Sequence, residues 1–151
     1  MASPPRVEKS HYALALREAR TQTPNYQLVL RNLSASVRRG DGRAAWALYT
    51  WYRDGFKVEK NLVHAIELLK RAADTGLPEA LFDLAVHYEC ASGVRRNLRE
   101  AFVCYLRAAL VGNTQSIHEI GRCYYYGIGV RRDRKIAVIW LKRAYELGIH
   151  D

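Results

Sequence analysis

The amino-acid sequence predicts an all-α fold, a solenoid of stacked antiparallel helix pairs, on three observations. A pattern of small, aliphatic and aromatic residues occurs three times between Arg43 and Gly148, at a spacing of 36 residues. Within each copy, apolar residues recur at helical spacing in two segments that a short loop separates. A glycine closes every copy, as expected where a helix ends at a positive φ. Internal repetition at a period of roughly 20–50 residues is typical of solenoids.

The first helix of each copy is predicted from three columns of residues on one helical face. A small residue opens the helix, an aliphatic residue follows four positions later, and a tyrosine follows four positions after that. These columns are Ala44, Ala80 and Ser116; Leu48, Leu84 and Ile120; and Tyr52, Tyr88 and Tyr124. The same face is therefore expected to be buried in all three copies.

The second helix of each copy begins after a residue suited to an N-cap and carries two columns of alanine. The N-cap residues are Asn61, Asn97 and Asp133. The alanines, which allow close approach of two helices, are Ala65, Ala101 and Ala137, then Ala72, Ala108 and Ala144. Gly76, Gly112 and Gly148 end the helices. The three copies are assigned to residues 43–78, 79–114 and 115–150.

A weaker version of the same unit precedes the first copy. Residues 1–7, with Pro4 and Pro5, are expected to be a flexible N-terminus. Residues 8–40 are expected to form a degenerate capping helix pair, because a shift of 36 residues maps Asn61 onto Asn25 and the closing glycine onto Gly40. An atypical terminal repeat is typical of a cap.

The third copy resembles the Sel-one-like repeat (SLR) family, a relative of the tetratricopeptide repeats. The resemblance is carried by Ser116, Ile120-Gly121, Tyr124, Gly127-Ile128-Gly129-Val130, Asp133, Ala137, Trp140, Ala144 and Gly148. The other copies depart from this pattern, with Ala91 at the position of Gly127 and Lys57 at that of Gly129. The resemblance implies a right-handed superhelix and a non-catalytic adaptor that binds a protein or peptide, with no cofactor. A minority of similar proteins is linked to cell-wall chemistry, so a hydrolase accessory stays an alternative.

The groove of such an array is lined by first helices, at positions between the buried columns. These positions are Trp46, Thr50, Arg53 and Asp54; Phe82, Val86, Glu89 and Cys90; and His118, Arg122, Tyr125 and Tyr126. Aromatic residues and arginine are enriched at binding hot spots, so the set predicts a peptide site in which arginines pair with carboxylates. The alternative is that the aromatic members only pack between repeats.

A basic ridge is predicted where the loops and second-helix starts of the last two copies stack. It consists of Arg95, Arg96, Arg99, Arg131, Arg132, Arg134 and Lys135. The chain has 24 Lys+Arg against 15 Asp+Glu, a formal net charge of +9, which favours acidic partners. The ridge is therefore either a solvated edge or a site for an acidic protein. Nucleic acid is a weaker alternative, because no aromatic residues interleave the cations.

The remaining features concern the cellular compartment of the protein and its self-association. The sequence shows no signal-peptide pattern and no apolar run that could cross a bilayer, and its three cysteines suit reduced thiols, so a cytoplasmic protein is expected. The edge of the third copy carries Ile136, Ile139, Trp140 and Ile149. It is expected to self-associate, unless it belongs to a longer chain or is less apolar than the pattern indicates.

Metal and nucleophilic chemistry are not predicted. His87, Cys90, Cys123 and His118 are the ligands that a zinc site would need, but His87 and His118 belong to different columns of the repeat. Cys90 or Cys123 with His87 has nothing to orient the base, so no catalytic pair is expected.

Overall fold

The computed structural model describes residues 10–150, and all regular secondary structure within that range is α-helical. The eight helices of this range are α1 (His11–Ala19), α2 (Tyr26–Arg38), α3 (Gly42–Asp54), α4 (Leu62–Asp74), α5 (Pro78–Cys90), α6 (Leu98–Leu110), α7 (Gln115–Tyr126) and α8 (Arg134–Glu146). The predicted flexible N-terminus, residues 1–7, lies outside the described residues.

The main contacts run between helices that are consecutive in the chain. The pairs α1–α2, α3–α4, α5–α6 and α7–α8 form hairpins, and each hairpin packs on the next through α2–α3, α4–α5 and α6–α7. This arrangement of paired helices in a row is the all-α solenoid that the 36-residue spacing predicts. The fold prediction is confirmed.

The N-cap residue of the second helix also bonds the first helix in each of the three copies. The side chain of Asn61 accepts a hydrogen bond from the backbone N–H of His64, and the predicted caps Asn25, Asn97 and Asp133 act in the same way. The backbone N–H of each cap in the three copies donates to the carbonyl of the tyrosine that ends the first-helix pattern. These bonds are Asn61 to Tyr52 at 2.9 Å, Asn97 to Tyr88 at 3.0 Å and Asp133 to Tyr124 at 2.9 Å. One residue therefore starts the second helix and ties it to the first.

The turn between the two helices keeps one backbone conformation although its residues differ. Ala91 has φ 55° where Gly127 has φ 75°, and Lys57 has φ 57° where Gly129 has φ 66°. Residues with a Cβ are strained in this left-handed region. The strain is tolerated because the two flanking helices hold the turn in this conformation. The missing glycines do not loosen the loops.

Small residues lie where the helices approach most closely. Ala44, Ala80 and Ser116, the residues that open the first helices, have no exposed surface. Larger side chains fill the space beside them, and Tyr49, Leu69 and Tyr105 are at most 2% exposed. The tyrosines of the first-helix pattern pack half-buried against this core.

Candidate functional site

The first helices α3, α5 and α7 lie side by side, and polar side chains connect them. Trp46 Nε1 donates a hydrogen bond of 2.8 Å to Asp83 Oδ2, from α3 to α5. Burial raises the pKa of Asp83, while the indole N–H lowers it. The sequence predicts that Trp46 faces a partner in the groove, and the structure shows that its polar atom bonds the next repeat.

A second bond between α3 and α5 joins Tyr49 to His87. The Tyr49 hydroxyl lies 2.8 Å from His87 Nε2, and His87 Nδ1 lies 2.8 Å from the carbonyl oxygen of Ser92. Because a carbonyl can only accept, Nδ1 carries the hydrogen and Nε2 accepts from Tyr49. Both ring nitrogens are therefore used, and His87 has no lone pair left for zinc.

The charged groove residues pair with residues of the chain itself. Arg53 donates to Asp54 at 2.7 and 2.8 Å, and to the Tyr49 hydroxyl at 3.3 Å. Arg122 donates to Glu89 across the repeat boundary at 2.7 Å and to Glu119 at 2.7 Å. The two arginines that the sequence assigns to carboxylates of a partner already bind carboxylates of their own array.

The other predicted groove residues differ in exposure. Phe82 is half-buried and packs edge-on against Tyr105, with ring centroids 5.7 Å apart. Val86 is 37% exposed and Tyr126 is 67% exposed. Half-buried members are Thr50, His118 and Tyr125, and exposed members are Asp54 and Cys90. The face therefore combines residues that pack between repeats with residues that a partner can reach.

The third repeat carries a cleft of about 600 Å³ between α7 and the end of α8. Four predicted groove residues line it, together with four residues from α8 and the segment after it: His118, Arg122, Tyr125, Tyr126, Leu141, Tyr145, Ile149 and His150. Sequence reasoning missed Tyr145. A signal was present, because Tyr145 stands in a column where the earlier copies have Ala73 and Ala109. A large aromatic residue in a column of alanines indicates a position without the close helix packing of the first repeat, and Tyr145 is exposed.

The predicted basic ridge is exposed, and the α7–α8 turn contacts the start of α6 beside it. Arg95, Arg96, Arg99, Arg131, Arg132, Arg134 and Lys135 are all exposed. Gly129, in the α7–α8 turn, lies so close to the Leu98 carbonyl and the Arg99 amide that a Cβ would overlap them. This contact brings the third loop onto the start of α6. Within residues 10–150, none of the seven cations forms a salt bridge, and Arg134 lies 5.1 Å above the ring of Tyr125.

The cysteines are distributed between core and surface. Cys104 and Cys123 are buried, and Cys90 is exposed. Burial raises the pKa of the Cys104 thiol to about 11 and that of Cys123 to about 12, so neither is a thiolate near neutral pH. In the described part of the chain, no three His, Cys, Asp or Glu residues are grouped to hold a metal ion. No helix there is both long and apolar enough to cross a membrane.

The helices form a row of pairs with capped second helices, and the first helices carry exposed side chains. These features define a helical-repeat protein. The Sel1 repeat family matches this chain three times, at residues 40–77, 78–113 and 114–149. The chain belongs to the Sel1 repeat family, which is the family that the motifs of the third copy predict. No curated protein matches the chain.

Several solved structures are similar to this one. A Sel1 repeat protein from Oxalobacter formigenes is 35% identical with a TM-score of 0.73, over 79% of this chain and 90% of the other. A protective antigen of uropathogenic Escherichia coli with an SLR fold is 27% identical with a TM-score of 0.83, over 91% of this chain and 30% of the antigen. An immunity protein from Pseudomonas aeruginosa is 22% identical with a TM-score of 0.61, over 99% of this chain and 55% of the other, and shows the fold alone.

Proposed function

We propose that this chain is a non-catalytic scaffold that binds a protein or peptide. The binding surface is the side of the first helices α3, α5 and α7 on which Val86 and Tyr126 are exposed, and we call it the first-helix face. Sel1 repeats generally mediate protein–protein interaction, and this chain belongs to that family. The observation that carries the proposal is the continuity between exposed first-helix residues and the cleft of the third repeat. Val86 and Tyr126 are exposed on the face, and Tyr126 also lines the cleft of about 600 Å³. A partner segment lying across α5 and α7 would bury aromatic and aliphatic surface, which dominates binding energy at interfaces.

The internal ion pairs change which residues would recognise an acidic partner. Arg53 and Arg122 are bonded to Asp54, Glu89 and Glu119, and exchanging these bonds for bonds to a partner brings little net energy. The seven cations of the basic ridge form no such pairs within the described residues. An acidic segment of the partner would therefore lie along the basic ridge, while its apolar side chains occupy the first-helix face.

Nucleic acid on the basic ridge is the second candidate. It is disfavoured because the ridge itself carries no aromatic residue, and its aromatic neighbour Tyr125 lies beneath Arg134. The two candidates differ in their salt dependence. Binding of nucleic acid weakens steeply and log-linearly with salt. A protein partner loses only the contribution of the basic ridge and keeps the contribution of the aromatic and aliphatic face at high salt.

A photo-crosslinking experiment tests the scaffold proposal with a matched control. Val86 on α5 and Val103 on α6 are the same residue type and are both 37% exposed, but only Val86 lies on a first helix. A benzophenone amino acid is introduced at either position, and the full chain is irradiated in a native lysate. We expect one or a few discrete protein adducts from position 86 that are absent from position 103. Identical adducts from both positions, or none from position 86, would contradict the proposal.

The buried thiols support a reducing compartment, and we extend the proposal to a cytoplasmic location. Two of the three cysteines lie in the helix core without a disulfide. Disulfides are rare where the cell keeps thiols reduced. Fractionation with antibodies against the native chain would test this, and recovery from an oxidising compartment would contradict it.

A further inference from the structure

We infer that the side of the second helices α6 and α8 that no neighbouring helix covers binds the surface of an anionic lipid bilayer. We name this side the outer face, and its residues are four cations and three aliphatic side chains: Arg99, Arg107, Lys135, Arg143, Val103, Leu110 and Ile139. The inference goes beyond the proposed function, because the outer face belongs to the second helices and leaves the first-helix face free for a protein partner. A scaffold held in this way would present its partner at a membrane.

The outer face is exposed in the middle of the array, so its exposure does not depend on where the array ends. The helix α6 packs between α5 and α7, yet Val103 is 37% exposed and Leu110 is 85% exposed. Glu67 and Asp74 occupy the same repeat positions on α4, and both are exposed although α5 packs on that helix. These positions therefore point away from the array in the inner repeats as well.

Cations and aliphatic residues alternate along both helices of the outer face. At intervals of four residues a cation, an aliphatic residue and a second cation follow one another: Arg99, Val103 and Arg107 on α6, and Lys135, Ile139 and Arg143 on α8. Residues four apart lie on one side of a helix, so each set forms a stripe. At a bilayer such a stripe is favourable, because the aliphatic side chain leaves water for the headgroup region while the long cationic side chains beside it reach lipid phosphates.

The two stripes lie on adjoining repeats. Gly129, shortly before α8, lies so close to the Leu98 carbonyl at the start of α6 that a Cβ would overlap it. The helices α6 and α8 also both pack on α7. Because consecutive repeats stack with the same fold, equal positions on α6 and α8 point in nearly the same direction. Glu67 stands on α4 at the position of Val103 and Ile139, so the outer face is confined to the second and third repeats.

The charge of the outer face is complementary to acidic lipids. Together α6 and α8 carry six Lys and Arg residues and two Glu residues. Among the residues that the structure describes, Arg99, Arg107 and Lys135 form no salt bridge, and Arg143 pairs with Glu146 at 3.5 Å on the surface. Anionic lipids of the cytoplasmic leaflet attract such cations, which agrees with the cytoplasmic location proposed above.

A bilayer uses both components of the outer face, whereas other acidic ligands fit it less well. Nucleic acid would neutralise the cations through its phosphates and leave Leu110 and Ile139 in water. An acidic protein segment would have to match both stripes at fixed positions, while lipids diffuse and arrange themselves around them. The outer face shares Arg99 and Lys135 with the basic ridge, and the five other cations of the ridge remain for an acidic segment of a protein partner.

Co-sedimentation of the full chain with vesicles tests the inference. The vesicles consist of phosphatidylcholine alone, or of phosphatidylcholine and phosphatidylserine in equal amounts, and we expect binding only to those with phosphatidylserine. Leu110→Ser with Ile139→Ser keeps every charge and is expected to weaken binding by about tenfold or more, because two aliphatic side chains no longer enter the bilayer. Val63→Ser is the control and should leave binding unchanged, since Val63 on α4 is 66% exposed, close to the 68% of Ile139, but lies outside the outer face.

A position-specific measurement separates contact through the outer face from general attraction by the net charge of +9. An environment-sensitive fluorescent amino acid is introduced at position 139 or at position 63. On vesicles with phosphatidylserine we expect a blue shift of the emission from position 139 and none from position 63. Equal shifts from both positions, absence of vesicle binding, or binding that Leu110→Ser with Ile139→Ser leaves unchanged would overturn the inference.

Two other outcomes would assign the outer face to a different ligand and overturn the inference as well. Binding of a poly-glutamate peptide without binding of vesicles would assign it to an acidic protein. A dimer of the free chain that Ile139→Ser dissociates would assign it to a second copy, as the sequence predicts for the edge that carries Ile139. Crosslinking from position 86 reads the first-helix face, and contact of position 103 with lipid yields no protein adduct, so either proposal can fail while the other stands.

Discussion

Arg122 Nη2 lies 2.7 Å from Glu89 Oε2, and this pair joins α5 to α7 across the boundary between the second and third repeats. Burial raises the pKa of Glu89, but the hydrogen bond and charge of Arg122 outweigh burial and hold this pKa below its ordinary value of 4.5. The Tyr105 hydroxyl also donates to Glu89, at 3.2 Å. The carboxylate is therefore part of the inter-repeat interface.

The lowered pKa of Glu89 predicts a pH-dependent contribution to stability. A carboxyl whose pKa is lower in the folded state stabilises the fold above its unfolded pKa, and this contribution is lost as the pH falls through the folded pKa. We expect Glu89→Gln to lower the free energy of unfolding by about 1–2 kcal/mol at neutral pH. Denaturant unfolding at a series of pH values should show the difference shrinking below the ordinary pKa of 4.5. Glu59→Gln, an exposed change in the turn between α3 and α4, is the control and should have little effect at any pH. An equal loss from Glu89→Gln at neutral and acidic pH would contradict the prediction.

The left-handed conformation of Ala91 predicts that glycine stabilises the protein. Ala91 is exposed and has φ 55°, so Ala91→Gly removes backbone strain and few contacts. We expect a gain of about 0.5–1 kcal/mol in chemical unfolding, after the greater freedom of glycine in the unfolded chain is subtracted. Lys57→Gly, with φ 57°, is the comparison. Its gain should be smaller, because Lys57 Nζ lies 4.7 Å from the ring of Tyr26 and this contact is lost. A loss of stability from Ala91→Gly would show that its backbone is not strained.

Close packing of the third loop predicts that Gly129 does not tolerate a side chain. A Cβ there would overlap the Leu98 carbonyl, which belongs to the backbone of α6 and cannot rotate away. We expect Gly129→Ala to destabilise the protein by about 3 kcal/mol, the sum of backbone strain and displacement of α6. Gly76→Ala separates the two contributions, because Gly76 also has a positive φ of 81° but nothing lies within 4 Å of an added Cβ. Only the strain of about 1 kcal/mol should remain there. Thermal unfolding of the two variants would measure this, and equal losses would contradict the packing argument.

The three thiols are expected to react at different rates. Cys90 is exposed, whereas burial raises the pKa of Cys104 to about 11 and that of Cys123 to about 12. A disulfide reagent at mildly alkaline pH should therefore modify one thiol per folded chain and all three after denaturation. Cys90→Ser should abolish the fast reaction. Fast modification of a second thiol in the native protein would show that the helix pairs open readily.

The sequence predicts the fold well because each column of the repeat has one physical role. Asn61, Asn97 and Asp133 are recognisable as caps from their type and spacing alone, and all three accept the expected backbone bonds. The pairing of side chains across repeats could not be predicted in this way. The repeat position of Arg122 predicts that it faces the groove. Only the structure shows that Glu89 and Glu119 already bind it.

The candidate site is predictable in part for the same reason. The repeat pattern assigns His118, Arg122, Tyr125 and Tyr126 to the first-helix face, and these residues line the cleft of the third repeat. Sequence reasoning missed Tyr145 because the columns of the second helices are predicted to be buried in the core. Burial of a column depends on whether another helix packs over it, and in the sequence only the change from Ala73 and Ala109 to Tyr145 indicates that this position differs.

The row of consecutive helix contacts has a consequence for the folding pathway. Since the main contacts join neighbouring hairpins, a growing nucleus closes only short loops, and helical arrays of this type fold fast for their size. Any hairpin is able to nucleate, and the others then add to it one at a time from either side. The rate-limiting step is therefore free to move along the chain when one hairpin is weakened, so a single destabilising substitution can redirect folding without abolishing it.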